Sequence, residues 1–571
     1  MRFCFLLALV GLLLPLTATA QQARVQAALH YLDQHATTLG LAEEDVDEVM
    51  VTDAYTSRRS GLTHVYVRQA IGGIEVVGTE MTINVDANDR VIHRAGTFRT
   101  DLLSEARVRQ PALNAQQAVQ RAATHVGLSA PSALRVMESN NDPSQAVALA
   151  ALEADNPIRA RLVYAPDQND ALHLAWEVEL AQRSQKDYWL VYVDAATGAE
   201  VRRVSLTVSE SFGEAAHAHD AAVPSFAPIQ ERTAPAAAAL VGSYKVFEAP
   251  VEAPIYASPA SPADGRTTAV NPDDATASPF GWHDTNGSAG AEFTTTQGNN
   301  VHAYTDTDAN NSPDAGSAPD GGAGLSFDFP VDFTAAPSTY RPAAVTNLFY
   351  WNNIIHDVLY QYGFDEAGGN FQTNTYGNGG SGNDHVLAEA QDGSGTNNAN
   401  FSTPSDGSAP RMQMFIGTNP SPDVDGDFDN AVIVHEYGHG VSNRLTGGPN
   451  NVGCLSNSEQ MGEGWSDYYG MMFTMDANDT PTQARGIGNY LFGQSTNGGG
   501  IRPAPYSTSF GTNGFTYQDT RTQIAPHGVG FVWATILWEV TWDMIDAHGF
   551  DADLYNAGGT AGNQIMLNLV T

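Results

Sequence analysis

The stretch Val434-His435-Glu436-Tyr437-Gly438-His439-Gly440 decides how this 571-residue chain is organised. Histidines at positions i and i+4 lie on one face of a helix, about one turn apart, so both imidazoles can reach a single metal ion. The glutamate beside the first histidine projects towards the same ion, where it can take a proton from a metal-bound water. This is the His-Glu-x-x-His arrangement of a zinc hydrolase. The alternative is a helix that carries two histidines on its solvated face.

A second helix is predicted after Gly462, and its first turn carries a carboxylate that can complete the metal site. A catalytic zinc takes three protein ligands and keeps one position open for water. Glu463 would be the third ligand, and Asp467, one helical turn further on, can accept the other N–H of a ligating histidine. Alone, Glu463 would be explained as an acid at the positive end of a helix dipole. Together with the first motif, the ligand interpretation is favoured.

Two segments around these residues closely resemble the fungalysin family of secreted zinc metalloendopeptidases, which are distant relatives of thermolysin. The segments are HEYGHGVSNRLTGG, residues 435–448, and GEGWSD, residues 462–467. The resemblance implies an α+β fold with a β-rich lobe and a helical lobe that meet at the zinc helix. It also implies one zinc ion per chain, bound by His435, His439 and Glu463, with Glu436 as the general base.

Two further segments match the family and bear on catalysis. Residues 526–533 (PHGVGFVW) match its His-x-x-Gly-x-x-Trp pattern, in which the histidine, here His527, donates to the oxyanion that forms as water attacks the peptide carbonyl. Residues 393–401 resemble an edge strand that binds the substrate backbone as an added strand, with Asn398 and Ala399 at the matching positions. A surface turn is the alternative for this glycine- and asparagine-rich segment.

The chain departs from thermolysin-like enzymes in three respects. The acid that orients the oxyanion histidine is not obvious, and Asp519 is a candidate. No tyrosine lies between His439 and Glu463, so a phenolic oxyanion partner is absent or comes from elsewhere. The sequence stops at Thr571, whereas relatives continue through more helices, so we expect an incomplete C-terminal lobe.

Histidines outside these motifs are expected to be structural. His283 and His302 lie in loop-like sequence, within segments that also match the family. His356 and Asp357 lie in a predicted core helix, Thr346 to Gly363, where a hydrogen-bonded histidine is the commoner case. The predicted zinc site already has its three ligands, which argues against further ones.

An acidic loop precedes the zinc helix at residues 423–430 (DVDGDFDN). Oxygen ligands at this density can hold calcium. The alternative is that Asp429 or Asn430 caps the helix. We favour the cap, so a calcium ion is not favoured and we expect little calcium dependence.

The first twenty residues, Met1 to Ala20, are predicted to be a signal peptide. Arg2 gives a positive start, an apolar run follows, and Ala18-Thr19-Ala20 is a small-residue cleavage site. The run is too short to span a bilayer. We therefore expect a secreted, extracellular protein that does not reside in a membrane.

Two small α+β domains are predicted between the signal peptide and the enzyme. The first resembles the fungalysin/thermolysin propeptide, and the second is similar to the later half of such pro-regions. An Ala- and Pro-rich linker that contains the processing site is expected next. The predicted regions are 21–105 and 106–206 for the pro-domains, 207–243 for the linker, and 244–571 for the catalytic domain.

The composition argues against some classes of partner and against an intrachain disulfide. Sixty-four acidic and 27 basic residues give a net charge of −37, which argues against nucleic acid or an anionic membrane as partner. Of the two cysteines, Cys4 leaves with the signal peptide, and Cys454 alone cannot form an intrachain disulfide.

These observations predict a secreted zinc endopeptidase that cleaves internal bonds of protein substrates and is made as an inactive precursor. Its own pro-region is expected to act as an intramolecular inhibitor and chaperone. One rival is a non-catalytic or truncated relative that keeps the zinc site for structure or binding. The open fourth position argues against that rival, because structural zinc sites are closed. A zinc exopeptidase is the weaker rival.

Overall fold

The computed structural model describes residues 4–100, 102, 110–131, 133–151, 156–181, 186–210, 242–457 and 460–571. The chain divides into two compact units. The first unit comprises Met1–Gln182, Asp187–Leu206 and Arg444–Cys454. The second unit comprises Arg183–Lys186, Thr207–Asn443 and Leu455–Thr571. Both units mix helices and strands, so the predicted α+β class is confirmed at this level.

The first unit begins with helix α1 (Cys4–His35), which packs against an antiparallel sheet. Strands β1, β2, β4 and β5 follow one another across this sheet, and β3 pairs with β2. Side chains of β4 alternate between buried and half-buried, as expected for a strand with one face on a core. The strands are β1 (Val49–Thr56), β2 (Thr63–Ile71), β3 (Ile74–Glu75), β4 (Met81–Val85) and β5 (Val91–Gly96). The predicted signal peptide falls in the first part of α1 and before it, where side-chain positions lie outside the described residues.

A second sheet in the first unit has six antiparallel strands in the order β11-β10-β9-β8-β7-β6. Helix α2 (Ala115–His125) packs on it and is capped by Asn114, whose side chain accepts from the Gln117 N–H. Trp176 lies in the core between helix and sheet. The strands are β6 (Arg135–Ser139), β7 (Val147–Ala150), β8 (Ile158–Pro166), β9 (Leu172–Leu180), β10 (Trp189–Asp194) and β11 (Glu200–Ser205).

A segment from far along the sequence, Arg444–Cys454, folds as part of the first unit. The Tyr66 hydroxyl donates to the Leu445 carbonyl at 2.9 Å. Val452 is buried in an apolar cluster with Tyr188 and Leu190. The sequence-based boundaries place this segment in the catalytic region. The structure groups it with the first unit instead, because Val452 is buried in an apolar cluster of that unit.

The second unit contains a five-stranded sheet in the order β12-β18-β19-β17-β15. Strands β15, β17 and β19 are parallel, whereas β18 runs antiparallel to β19, and β12 antiparallel to β18. Smaller sheets are formed by β14-β13-β16 and by β20-β21. The strands are β12 (Thr207–Ser209), β13 (Ser243–Val246), β14 (Thr267–Val270), β15 (Val301–Thr305), β16 (Ser326–Phe327), β17 (Val386–Ala390), β18 (Ala399–Ser402), β19 (Arg411–Met414), β20 (Ile416–Gly417) and β21 (Val424–Asp425).

Five helices complete the described part of the second unit. The helix Arg341–Tyr362 contacts the five-stranded sheet and is almost wholly buried. Gly363 follows it as the C-cap, and its φ of 111° suits a glycine. The next two are the helices predicted to carry the metal ligands. The helices are α3 (Arg341–Tyr362), α4 (Asn430–Thr446), α5 (Gly462–Phe473), α6 (His527–His548) and α7 (Gly562–Val570).

The predicted linker, 207–243, is only partly described. Its first residues form β12, and Ser243 already begins β13, so both ends are ordered as strands rather than linker. Residues 211–241 lie outside the described residues, and the linker prediction stays a prediction there. No helix among the described residues is long and apolar enough to cross a membrane.

Candidate metal centre

The two histidines of the His-Glu-x-x-His stretch lie side by side on helix α4. The Nε2 atoms of His435 and His439 are 3.0 Å apart, and both side chains are buried. Asp429 precedes the helix; its backbone carbonyl accepts from the Ile433 N–H at 3.0 Å, and its side chain accepts from the Leu491 N–H at 3.1 Å. A side-chain cap by Asp429 or Asn430 stays a prediction, and the helical spacing brings both imidazoles to one point.

Glycines let the three site helices approach one another closely. A Cβ on Gly438 would lie 2.9 Å from the Ser466 Cα, where α4 meets α5. A Cβ on Gly464 would lie 2.2 Å from the Gly530 carbonyl oxygen, and one on Gly530 would lie 2.7 Å from the Glu463 Cβ. The family pattern His-x-x-Gly-x-x-Trp thus has a steric reason, because only glycine at its middle position lets α6 contact the helix that carries Glu463.

Glu463 and Asp467 lie where the sequence predicts them, on one face of α5. The Glu463 oxygens are 3.5 Å from the His435 Nε2 and 3.8 Å from the His439 Nε2. On the other side of the His435 ring, its Nδ1 is 2.8 Å from the Asp467 Oδ1. The arrangement orients His435 with Nε2 towards Glu463 and Nδ1 towards a supporting carboxylate.

Within the part of the chain that the structure describes, Glu436 is a carboxylate of this centre that makes no hydrogen bond. Its side chain is fully buried, and neither oxygen has a hydrogen-bond partner among the described residues. Burial raises its pKa well above the ordinary value. A buried carboxyl without a structural bond is rare in folded proteins and points to a functional partner.

Glu210 also lies in the metal centre, and the sequence analysis did not predict it. Its Oε1 is 2.5 Å from the His435 Nε2, and its side chain is buried. One ligand atom from each of Glu210, His435, His439 and Glu463 lies within 4.8 Å of all the others. The only sequence signal was the alternation Leu206-Thr207-Val208-Ser209 just before it, which is typical of a short strand.

Arg502 holds three carboxylates of the centre, and it too was missed. Its Nη1 is 3.0 Å from the Glu210 Oε2, its Nη2 is 3.1 Å from the Glu463 Oε2, and its Nε is 2.7 Å from the Asp467 Oδ2. Tyr506 adds a hydroxyl that donates to the same Asp467 oxygen. Arg502 lies in loop sequence between helices, where no periodicity marks it.

The pKa shifts follow from burial of these charges side by side. Burial opposes ionisation of Asp467, but the Arg502 guanidinium holds its pKa at about 2. Burial and the neighbouring Glu210 raise the pKa of Glu463 to about 8. Burial also opposes ionisation of Glu210, yet Arg502 and His435 keep its pKa well below the ordinary value. Burial lowers the pKa of His439, with a further contribution from His435.

His527 begins helix α6 and reaches the same centre. Its Nε2 is 3.3 Å from the Glu463 Oε1 and 4.0 Å from the Glu210 Oε2. The side chain is 26% exposed, the most accessible ring of the centre, and burial lowers its pKa. Asp519, the candidate for orienting this histidine, accepts from both the N–H and the hydroxyl of Thr516 and so caps a turn. The orienting role of Asp519 stays a prediction.

The segment predicted to bind substrate contains strand β18, which begins at Ala399. Asn398 precedes the strand and its side chain accepts from the Ala399 N–H at 2.8 Å. The outer side of β18 pairs with β12, with Val208 opposite Phe401. The start of the segment is a turn and its end is a strand, and substrate binding at Asn398 and Ala399 stays a prediction.

The histidines expected to be structural lie in hydrogen-bonded or stacked positions. His356 is fully buried, with Nδ1 2.9 Å from the Asp357 Oδ1 and Nε2 3.1 Å from the Gln372 Oε1. His283 lies between the Tyr244 hydroxyl and the Gln297 carbonyl, at 2.8 and 3.1 Å. The His302 ring packs edge-on against Tyr304. None of them belongs to the metal centre described above.

The acidic loop before α4 is internally hydrogen-bonded. The Asp425 side chain accepts from the Asp427 N–H, and the Gln391 amide donates to Asp425 at 2.6 Å. Elsewhere, oxygens of Asp306, Glu389 and Asp392 lie close together, and the Gln413 amide donates to two of these carboxylates. In both clusters, N–H groups of the protein donate hydrogen bonds to the carboxylates.

The residues of the centre fit a transition metal that favours nitrogen and oxygen ligands. Two buried imidazoles and two buried carboxylates converge within ligand distance of one point. Imidazole together with carboxylate is a zinc donor set. Burial and the neighbouring Glu210 raise the pKa of Glu463. A cation bound between the two carboxylates would offset their repulsion.

Comparison with known proteins agrees with this geometry. The sequence model of the fungalysin metallopeptidases (M36) matches residues 243–571, more than half of the chain and all the helices of the metal centre. The chain belongs to this family. In this fungalysin, residues 47–98 also match the fungalysin/thermolysin propeptide motif, which covers strands β1 to β5.

Similar proteins come from fungi. An extracellular metalloproteinase MEP of Fusarium vanettenii is 34% identical over 535 residues, covering 91% of this fungalysin and 76% of that protein. Extracellular metalloproteinase 2 of Arthroderma gypseum is 34% identical, with 90% and 75% covered. The extracellular metalloproteinase mep of Aspergillus fumigatus is 34% identical, with 87% and 72% covered.

Among solved structures, the Bacillus megaterium YpeB C-terminal domain aligns with 32% of this chain and 64% of its own length. The sequence identity is 14% and the TM-score is 0.18, a likeness too weak to bear on the fold.

Proposed function

We propose that the protein is a secreted zinc endopeptidase in which His435, His439 and Glu463 hold the metal and Glu436 is the general base. The observation that carries this proposal is the convergence of two imidazoles and a carboxylate from helices α4 and α5 at one buried point. Three protein ligands with one further position are the donor set of a catalytic zinc site.

The residues around the metal supply distinct steps of peptide hydrolysis. Zinc, when bound, acts as a Lewis acid on the scissile carbonyl and lowers the pKa of water. Glu436, with no structural hydrogen bond among the described residues, takes the proton of the attacking water and delivers it to the leaving amine.

Two other side chains act on the transition state and on the geometry of the ligands. His527 is partly exposed beside the metal ligands, and its ring N–H is placed to donate to the oxyanion of the tetrahedral intermediate. Asp467, held by Arg502 and Tyr506, fixes the ring of His435 so that Nε2 faces the metal position.

The substrate is an extended polypeptide that adds to the edge of β18, with Asn398 and Ala399 contacting its backbone. The pairing of β12 with this edge supports the proposal, since it demonstrates that the edge accepts an antiparallel strand. Backbone pairing of this kind places no requirement on chain ends and therefore favours internal cleavage over exopeptidase action.

The enzyme is made as a precursor with a pro-region that inhibits it and assists its folding. The propeptide motif at residues 47–98 supports this part, and so does the order of the predicted regions. The predicted signal peptide supports secretion, and so do the relatives, which are named extracellular metalloproteinases. The pro-region is removed by cleavage within the predicted linker, residues 207–243.

A non-catalytic relative that keeps the metal for structure is the second candidate, and two observations disfavour it. Glu436 would then be a buried carboxylate with no role and no hydrogen bond among the described residues. His527 would be a partly exposed ring beside a structural site. Structural zinc sites have neither feature.

One experiment separates these functions. The full chain is incubated with casein, with and without 1,10-phenanthroline, beside the Glu436→Gln variant, and the products are identified by mass spectrometry. We expect internal fragments that phenanthroline and Glu436→Gln both abolish. Release of single terminal residues would indicate an exopeptidase, and no cleavage by a metal-loaded, processed chain would contradict the proposed function.

A further inference from the structure

We propose that Tyr506 is a positioning residue that acts on both sides of the reaction centre. Its hydroxyl holds Asp467, the carboxylate behind the proposed ligand His435, and its ring holds the start of helix α6, which carries His527. This role rests on the proposed function and goes beyond it, because it ties the geometry of the metal ligands to the geometry of the oxyanion donor.

The hydroxyl of Tyr506 completes a set of donors around Asp467. It donates to the Asp467 Oδ2, the same oxygen that accepts from the Arg502 Nε at 2.7 Å. The other oxygen, Oδ1, lies 2.8 Å from the His435 Nδ1 and 2.9 Å from the Arg502 Nη2. Tyr506 is fully buried, so water does not compete for its hydrogen bond. Because two donors bind Oδ2, rotation of the carboxylate away from His435 would break both bonds.

The ring of Tyr506 packs against helix α6 close to its start. Its centroid lies 5.4 Å from that of Phe531, which is fully buried and one helical turn after His527. The Phe515 ring meets the same side chain edge-on at 5.0 Å. Phe531 therefore packs against two aromatic rings of the preceding loop, and the first turn of α6, which carries His527, is held with it.

The backbone of Tyr506 is itself fixed, which gives the side chain a rigid base. Its N–H donates to the Arg485 carbonyl at 2.7 Å, and its carbonyl accepts from the Arg485 N–H at 2.9 Å. The Arg485 side chain is buried and is bound by Glu252 at 2.9 Å and by Asp479 at 2.7 Å. The hydroxyl and the ring belong to one held side chain, so a displacement at one contact also displaces the other.

A residue that only filled the core at this point would not need a hydroxyl. Burial of a hydroxyl is unfavourable unless it is hydrogen-bonded, whereas phenylalanine fills nearly the same space without that requirement. The two contacts of Tyr506 can therefore be removed separately. Tyr506→Phe removes the hydroxyl and keeps the ring, Phe531→Leu removes the ring contact and keeps the hydroxyl, and Tyr506→Leu removes both.

Zinc affinity reports on the hydroxyl. It is measured in the full chain with Glu436→Gln, which does not digest itself, by competition with a chromogenic chelator. We expect Tyr506→Phe and Tyr506→Leu to weaken zinc binding roughly tenfold, the lower end of the effect of losing an outer partner of a metal ligand. Phe531→Leu should leave the affinity unchanged. Tyr517→Phe, an exposed tyrosine of the same loop, is the matched control and should also leave it unchanged.

Steady-state kinetics report on the ring. They are measured on the processed chain at saturating zinc, so that loss of metal does not contribute. We expect Phe531→Leu and Tyr506→Leu to lower kcat roughly tenfold with a smaller change in KM, because His527 is displaced from the oxyanion but not removed. Tyr506→Phe, which keeps the ring, should retain the parent kcat. Phe510→Leu, an exposed aromatic residue of the same loop, is the control.

The pattern across the variants separates a positioning role from a merely structural one. A structural residue would move zinc affinity and kcat together, along with the thermal unfolding temperature, so parallel losses in all three variants would overturn the proposal. Equal zinc affinity in Tyr506→Phe and the parent, or an unchanged kcat in Phe531→Leu, would also overturn it while the zinc site stands. If Tyr506→Leu unfolds, the other two variants decide.

Failure of the proposed function gives a different result. If His439→Ala retains zinc, or if Glu436→Gln retains turnover, the metal site or the general base is wrong whatever the Tyr506 variants do.

Discussion

The Nδ1 of His435 on helix α4 lies 2.8 Å from the Oδ1 of Asp467 on helix α5, so one helix supports a proposed metal ligand of the other. Asp467 is itself held by Arg502, at 2.7 and 2.9 Å, and by the Tyr506 hydroxyl. Each of these donors favours the ionised carboxylate, which keeps the pKa of Asp467 at about 2. A permanent anion at this place favours the His435 tautomer whose Nε2 is free to bind a metal.

Replacing Asp467 should therefore weaken metal binding without removing a ligand. We expect Asp467→Asn to lower zinc affinity by about 10- to 100-fold, because the amide no longer fixes the tautomer of His435. Chelator competition measures the effect. Asp519→Asn is the matched control, since Asp519 caps a turn and should leave zinc affinity unchanged. Equal affinities in both variants would show that the Asp467 contact is only structural.

Replacing a proposed metal ligand and replacing the proposed general base should have different effects on metal content. His439→Ala removes one of three ligands, and we expect it to lose both the metal and activity. Glu436→Gln should keep the metal and lose turnover, because an amide cannot accept the proton of the attacking water. Metal content by mass spectrometry and peptide turnover are measured on the same samples. Zinc retained at one per chain in His439→Ala would refute the ligand assignment.

His527 should act on the rate of the chemical step more than on substrate binding. We expect His527→Ala to lower kcat by roughly a hundredfold to a thousandfold, the effect of losing one oxyanion donor, with a smaller change in KM. Steady-state kinetics on an internally quenched peptide give both constants. His548→Ala, an exposed residue at the end of the same helix, is the control. An unchanged kcat would remove His527 from the mechanism.

The close approach of helices α5 and α6 should depend on Gly530. A Cβ there would lie 2.7 Å from the Glu463 Cβ and 2.7 Å from the Gly464 nitrogen, so the two helices must move apart. We expect Gly530→Ala to lower stability by about 1–3 kcal/mol and to reduce zinc affinity, because Glu463 moves with its backbone. Gly558→Ala, where the nearest atom is 3.5 Å away, is the control. Thermal unfolding and chelator competition test both effects.

The convergence of the candidate metal ligands on α4 and α5 could be predicted from the sequence because their spacing within each helix is local. His435 and His439 are one helical turn apart, and Glu463 and Asp467 are one turn apart on the next helix, so helix geometry alone sets each pair. Joining the two pairs rested on the three protein ligands that a catalytic zinc takes, and the resemblance to a family implied the same set. The structural role of His356 followed from its place in an apolar helix, and the structure gives it two hydrogen-bond partners.

Glu210 and Arg502 could not be predicted because their roles depend on contacts distant in sequence. Glu210 is separated from His435 by more than two hundred residues, and its strand has only three residues with little periodicity. Arg502 lies in a loop where nothing marks it as buried. The place of Arg444–Cys454 in the first unit also depends on tertiary packing of Val452, which no local pattern reveals.

The stability of the second unit should depend on pH through His283, which lies apart from the metal centre. Burial lowers the pKa of His283 to about 4, against an unfolded value of about 6.5. Between these two pH values the unfolded chain binds a proton that the folded chain does not. Acidification therefore favours unfolding, by roughly 1 kcal/mol for each pH unit, and the contribution is complete above pH 6.5.

This contribution can be isolated by comparing three chains in the Glu436→Gln background, which does not digest itself. Unfolding in urea is followed from pH 4.5 to 7.5 for the parent, for His283→Asn and for His548→Asn, where an exposed histidine is replaced. We expect the His283→Asn variant to be less stable at pH 7.5, because it loses the hydrogen bonds to Tyr244 and Gln297. Because Asn cannot be protonated, the variant should lose less further stability on acidification than the parent. His548→Asn should follow the parent. Parallel curves for the parent and His283→Asn would show that His283 titrates alike in the folded and unfolded chain, contrary to its burial.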